Sequence, residues 1–157
     1  MRDLCELENV DWNSFPATQW WSPGEVPEAL RALSSVSDPA SAKRAYDRCL
    51  FAIGNNHAGS LYRVAPTVAP FLTWLLAFGS DATCASAFEV LSDAVTFGAD
   101  DPEERVPTPD GRNVEVDVAF RAAVRSSLAE FLVGATDNAH RCTTVRAREL
   151  IEVIDSY

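Results

Sequence analysis

V-A-P-F-L-T-W-L-L, residues 68–76, carries the strongest hydrophobic periodicity in the chain. Val68, Phe71, Leu72, Leu75 and Leu76 recur at i, i+3, i+4, i+7 and i+8, which lines all five along one stripe of an α-helix. Pro70 falls in the first turn of a helix running from about Thr67 to Phe78, where its missing N–H removes no intrahelical bond. Trp74 stands off the stripe, so its exposure decides whether this helix is enclosed on more than one side. Gly79 reads as the C-cap and Asp81 as the N-cap of a following helix. That helix has the stripe Cys84, Ala87, Phe88, Leu91 and Val95 and stops at Gly98.

Toward the N-terminus, Ser22-Pro23 opens a helix, with Ser as N-cap and Pro at the first helical position; Val26, Ala29, Leu30 and Leu33 form its stripe. Asp38-Pro39 repeats that start, and Ala42, Ala45, Tyr46, Cys49, Leu50 and Ile53 sustain a longer helix to about Asn55. The run G-N-N-H-A-G-S at 54–60 breaks the pattern with turn formers, and a short helical turn near 61–65 is interrupted by Pro66. Residues 1–23 hold Trp12, Phe15, Trp20 and Trp21, punctuated by Pro16 and Pro23. Two readings stand for them: a cap laid over the open end of the first helix pair, or Trp20 and Trp21 as exposed anchors for a partner.

Toward the C-terminus, A-D-D-P-E-E-R-V-P-T-P-D-G-R-N at 99–113 has three prolines, a D-G turn and four clustered acids. Such a stretch cannot form a helix interior, and a long exposed loop is expected. Helix resumes near Val114 with Phe120, Ala123, Val124, Leu128, Phe131 and Leu132. Gly134 and Asp137-Asn138 make a turn, and a last helix presents Cys142, Val145, Leu150, Val153 and Ile154.

These helices form three pairs that align. Leu30, Leu72 and Leu128 stand 8, 9 and 9 residues before Asp38, Asp81 and Asp137. Leu72 follows Leu30 by 42 residues and Leu128 follows Leu72 by 56; the excess of 14 is about the length of the acidic loop. Without it, the period is that of HEAT or armadillo units. Across residues 24–155 the sequence resembles bacterial HEAT-repeat-like proteins. Arg44 sits where HEAT units often carry an Arg, whereas Ala87 replaces it in the second unit and Arg146 is displaced in the third. The segment I-G-N-N-H-A-G-S-L-Y-R-V-A-P-T-V-A-P-F-L at 53–72 is similar to one in small bacterial HEAT-like proteins, several of them associated with polymorphic toxin systems as immunity proteins. The resemblance extends to His57, Gly59, Tyr62, Pro70, Phe71 and Leu72, for which it implies a structural role and no catalytic one.

The expected architecture is therefore all-α: a HEAT/armadillo-like α-solenoid of three helix pairs in one domain, 1–157. Residues 1–23 form the cap, 24–56, 60–98 and 114–155 the pairs, and 99–113 the acidic insertion. At 157 residues such a chain buries a core without disulfides or metal. Cys5, Cys49, Cys84 and Cys142 show no C-x-x-C spacing, and buried reduced thiols are expected in the cytoplasm. The start M-R-D-L-C-E-L-E has no secretory pattern, and no apolar run is long enough to span a bilayer.

Catalysis finds no support. His57 and His140 lack companions at a known spacing, and phosphate-binding and nucleophile-elbow glycine motifs are absent. Glu89 and Asp93, at i and i+4, have no matching pair on a second helix for a metal, so they read as a solvated acidic face. No cofactor is expected. The 13 Lys plus Arg against 23 Asp plus Glu give a net charge of −10, which repels nucleic acid and anionic membrane and speeds encounter with basic partners. Arg121, Arg125, Arg141, Arg146 and Arg148 are expected to pair with Glu130, Glu149 and Glu152.

What remains is a protein-binding surface. Its expected residues are Asp100, Asp101, Glu103 and Glu104 on the insertion, Asp110, Glu115 and Asp117 around the next helix start, Glu89 and Asp93, and the Trp20–Trp21 pair. The preferred expectation is a cytoplasmic immunity protein that blocks the cleft of a basic toxin domain. The competing one is a HEAT-like scaffold that inhibits nothing.

Overall fold

Asp38 shows how closely local chemistry sets the helix starts. Its carboxylate accepts from the backbone N–H of Ala40 and Ser41 at 2.9 and 3.0 Å, while the Ser41 hydroxyl accepts from the Asp38 N–H at 3.1 Å. This reciprocal box satisfies backbone donors that the first turn leaves free, and Pro39 needs none. The computed structural model describes residues 1–17, 21–108, 110–134 and 141–157. Within them the fold is mostly helical. The helices are α1 (Glu25–Ser34), α2 (Pro39–Ile53), α3 (Ala65–Phe78), α4 (Asp81–Ala94), α5 (Val116–Gly134) and α6 (Arg141–Asp155). Short 3-10 turns span Leu4–Asn9 and Trp12–Ser14.

Several boundaries differ from those expected. The first helix begins at Glu25, because the Ser22 and Pro23 carbonyls accept from the Glu25 and Val26 N–H groups in the turn that precedes it. Ser80, not Asp81, caps α4, accepting from the Thr83 N–H at 3.2 Å. Pro66 does not interrupt a helix; it occupies the first turn of α3. The stripe of α6 runs through Ala147, Leu150 and Ile154, whereas Val145 and Val153 are exposed. Asp137 and His140 lie outside the described residues.

Helix α3 occupies the centre. It packs against α1, α4 and α5, and its most extensive contact is with α5. Val68, Phe71, Leu72, Leu75 and Leu76 are buried, but so are Thr73 and Ala77, which lie off that stripe. Trp74 is half-buried, with its ring 5.8 Å from Phe78, whose ring meets Phe131 of α5 edge-on at 6.0 Å. The helix is thus enclosed on more than one side. Elsewhere α1 packs on α2, α2 on α4, and α5 on α6.

Two small sheets interrupt the helices. The turn-forming segment after α2 is a hairpin, β1 (Gly54–Asn55) paired antiparallel with β2 (Ser60–Leu61). β3 (Gly98–Ala99) then lies parallel to β2, Ser60 opposite Gly98 and Leu61 opposite Ala99. Gly54 permits the close approach: a Cβ there would lie 2.1 Å from the Ser60 carbonyl oxygen. The expected long exposed loop at 99–113 instead contains a second hairpin, β4 (Arg105–Pro107) with β5 (Asn113–Glu115). Val106 is buried and anchors it. Thr108 shapes the turn: its N–H donates to the Arg112 carbonyl at 2.8 Å and its carbonyl accepts from Gly111, which takes φ +81°. Strands of three residues leave no alternation long enough to read.

The aromatic N-terminal segment is tied down across several helices, not over the end of one pair. Trp12 is buried with its ring 6.2 Å from Phe71 of α3, its indole N–H donating to the Leu7 carbonyl at 2.9 Å. The Arg2 N–H reaches the Pro70 carbonyl at 3.3 Å, and Glu8 pairs with Arg31 of α1.

Candidate functional site

The three-stranded sheet brings together residues far apart in sequence. Pairing of β2 with β3 continues into a bond from the Asp100 N–H to the Leu61 carbonyl at 3.1 Å, so the insertion starts beside the end of the first hairpin. The Ser60 hydroxyl donates to the Asp100 carboxylate at 2.6 Å, and Arg63 pairs with Glu104 at 3.2 Å. Next to these lies Trp21. It is only 5% exposed, its indole N–H donates to the Ala52 carbonyl of α2 at 2.9 Å, and its ring lies 5.4 Å from Tyr62. Burial and, second, the Asp100 carboxylate push the Tyr62 hydroxyl above its usual range, so it stays neutral at physiological pH.

Phe15, Pro16, Trp21, Tyr62, Arg63, Val64, Asp100, Asp101 and Glu104 surround one cleft of about 90 Å³. Its floor is aromatic and its rim anionic. Three of the expected surface acids, Asp100, Asp101 and Glu104, share this cleft, and exposed Glu103 adjoins it through its N–H, which donates to Asp101 at 2.9 Å.

The other expected site residues separate from it. Asp110 pairs with Arg112 at 2.8 Å and Glu115 with Arg105 at 3.3 Å on the second hairpin. The Thr108 hydroxyl, then the Arg112 guanidinium, hold the Asp110 carboxyl below the usual carboxylate range. Glu89 and Asp93 remain exposed on α4, where Asp93 accepts the Tyr46 hydroxyl and both line a shallow hollow with Tyr46, Phe88 and Ser92. That bond, with burial and neighbouring carboxylates, pushes Tyr46 up to about 12.

Two expectations are corrected. Asp117 is buried in the first turn of α5 and bonded to Arg121 at 2.5 Å, so it belongs to the helix start and not to an acidic surface. Trp21 is buried and hydrogen-bonded, which removes it as an exposed anchor; Trp20 lies outside the described residues. Of the arginines of the last helices, Arg121 and Arg125 find carboxylates other than those expected. Arg121 takes Asp117 and also donates to the carbonyls of Val95 and Phe97, while Arg125 takes Asp155 at 2.7 Å.

His57 is exposed, its ring edge-on to Phe51 at 5.6 Å, and Asn55 organises its turn by accepting the His57 and Ala58 N–H groups. Among the described residues no group of three or more His, Cys, Asp or Glu side chains is placed to hold a metal ion. No helix among them is long and apolar enough to cross a membrane. Sequence reasoning missed Phe15, Tyr62 and Arg63 as neighbours of the acids, since 41 residues separate Arg63 from Glu104 and only the sheet joins them. Compared with protein-family models, curated proteins and solved structures, the chain matches none of them.

Proposed function

We propose that this chain is an α-solenoid immunity protein that binds a basic bacterial toxin in the cytoplasm and blocks its active cleft. The observation that carries the reading is the strand-anchored anionic edge: Asp100, Asp101, Glu103 and Glu104 project from a loop whose start is fixed by the β2–β3 pairing. A pre-ordered charged edge loses little entropy on docking, and a net charge of −10 accelerates encounter with a cationic partner. The solenoid reading is supported by the packing of α1 on α2, α3 on α4 and α5 on α6, with α3 against α5 and α2 against α4. A second reading, an interaction scaffold without inhibition, is favoured by the ion pairs of Glu104, Asp110 and Glu115, which blunt the field of the insertion.

Co-expression with a toxin encoded beside its gene, followed by affinity capture, tests the proposal. Protection of the host and a salt-sensitive complex are expected. A complex that leaves the toxin active selects the scaffold, and absence of both binding and protection ends the immunity reading.

A further inference from the structure

We infer that the cleft between Phe15, Trp21, Tyr62 and the carboxylates of Asp100, Asp101 and Glu104 receives one arginine side chain of the partner protein. This rests on the proposal above that the partner is a basic protein. The cleft pairs an aromatic floor with an anionic rim, and a guanidinium is the group that uses both, stacking its plane on a ring while donating to carboxylates. The floor is rigid, because the Trp21 N–H is committed to Ala52 and the ring cannot turn away. The rim is placed in advance by Ser60 on Asp100.

Charge and size narrow the occupant. Three carboxylates face one guanidinium, that of Arg63, so two negative charges stay uncompensated at the cleft. Arg63 already shows that Glu104 accepts a guanidinium, at 3.2 Å. With the Arg63 side chain 49% exposed, that internal bond is weak and exchanges readily for a better-oriented one from outside. About 90 Å³ has room for several waters, so it admits the head of one side chain and excludes a nucleotide or other large ligand. Phosphate is further repelled by the rim, and these acids form no metal-holding group.

The test is an NMR titration of the isotope-labelled full chain with N-acetyl-arginine methylamide, with the neutral isostere N-acetyl-citrulline methylamide, and with the lysine analogue. The arginine probe is expected to shift the Trp21 indole and Tyr62 ring resonances in a saturable, salt-sensitive way, and citrulline to leave them in place. The double variant Asp101→Asn with Glu104→Gln should weaken binding about tenfold, the effect of losing charge-assisted hydrogen bonds. Arg63→Gln should tighten it by removing the internal competitor, which guards against loss of binding through misfolding. Equal shifts from citrulline, tighter binding of lysine, arginine shifts confined to the Glu89–Asp93 hollow, or weaker binding by Arg63→Gln would each overturn the assignment. A probe that fills the cleft of a chain that neutralises no toxin upholds the cleft and removes the immunity reading. A toxin held as tightly by the double variant as by the parent does the reverse.

Discussion

Replacing Gly54 with alanine places one methyl group where β1 meets β2. The residue is buried and its backbone is extended, with φ −175°, so the conformation suits alanine and only the contact opposes it. The new Cβ would lie 2.1 Å from the Ser60 carbonyl oxygen, 0.9 Å inside the 3.0 Å that real Cβ contacts respect. Relieving that by separating the strands stretches the bond from the Tyr62 N–H to the Ile53 carbonyl from 2.9 to about 3.8 Å, beyond hydrogen-bonding range. A donor and an acceptor in a buried setting are then left without partners, at roughly 1–3 kcal/mol each. Alanine returns about 0.5–1 kcal/mol by restricting the unfolded chain. A net loss of roughly 1–5 kcal/mol follows, measured by urea unfolding and linear extrapolation. Gly98→Ala is the matched control: it lies in β3 of the same sheet, and a Cβ there meets nothing within 4 Å. Gly54→Ala within about 0.5 kcal/mol of the parent, or an equal loss from Gly98→Ala, would refute the steric account.

Tyr46→Phe addresses alkaline stability: the folded hydroxyl titrates at about 12 against an ordinary 10.0, so its contribution is complete below pH 10 and is lost as pH rises through 12. Unfolding midpoints of the parent should fall across that window, and Tyr46→Phe should lack this component. Within the insertion, Glu103→Lys should leave the thermal midpoint unchanged while weakening capture of a basic partner; Asp100→Lys should lower the midpoint as well, because Asp100 holds Ser60. Timed thiol labelling followed by mass spectrometry should modify exposed Cys5 first and reach Cys49 only in denaturant, since Cys49 is buried and burial pushes its thiol up to about 12.

The helices were legible because each carries a long apolar stripe, and Asp38-Pro39 and Gly79 mark ends by local chemistry that tertiary context did not override. The strands were not legible, because strands of two or three residues have no period; G-N-N-H-A-G-S and R-V-P-T-P-D-G-R-N read only as turns. Of the site, the acids of the insertion were visible as composition. Their partition was not: Asp117 lies only two positions beyond Glu115, yet the helix start turns it inward to Arg121 while Glu115 stays on the hairpin with Arg105. Trp21 illustrates the same limit, since its type suits a buried floor or an exposed anchor equally, and only the carbonyl of Ala52 decides.

The parallel pairing of Ser60–Leu61 with Gly98–Ala99 also orders events during folding. Its strands are 38 residues apart and each contributes two residues, so the entropy of closing so long a loop is opposed by very few contacts. That pairing becomes favourable only after α3 and α4 have docked and brought the two ends together. Substitutions in β3 are therefore expected to alter the unfolding rate and leave the folding rate nearly unchanged, as stopped-flow kinetics would show. The anionic cleft is built on this pair, which places its assembly after the docking of α3 and α4.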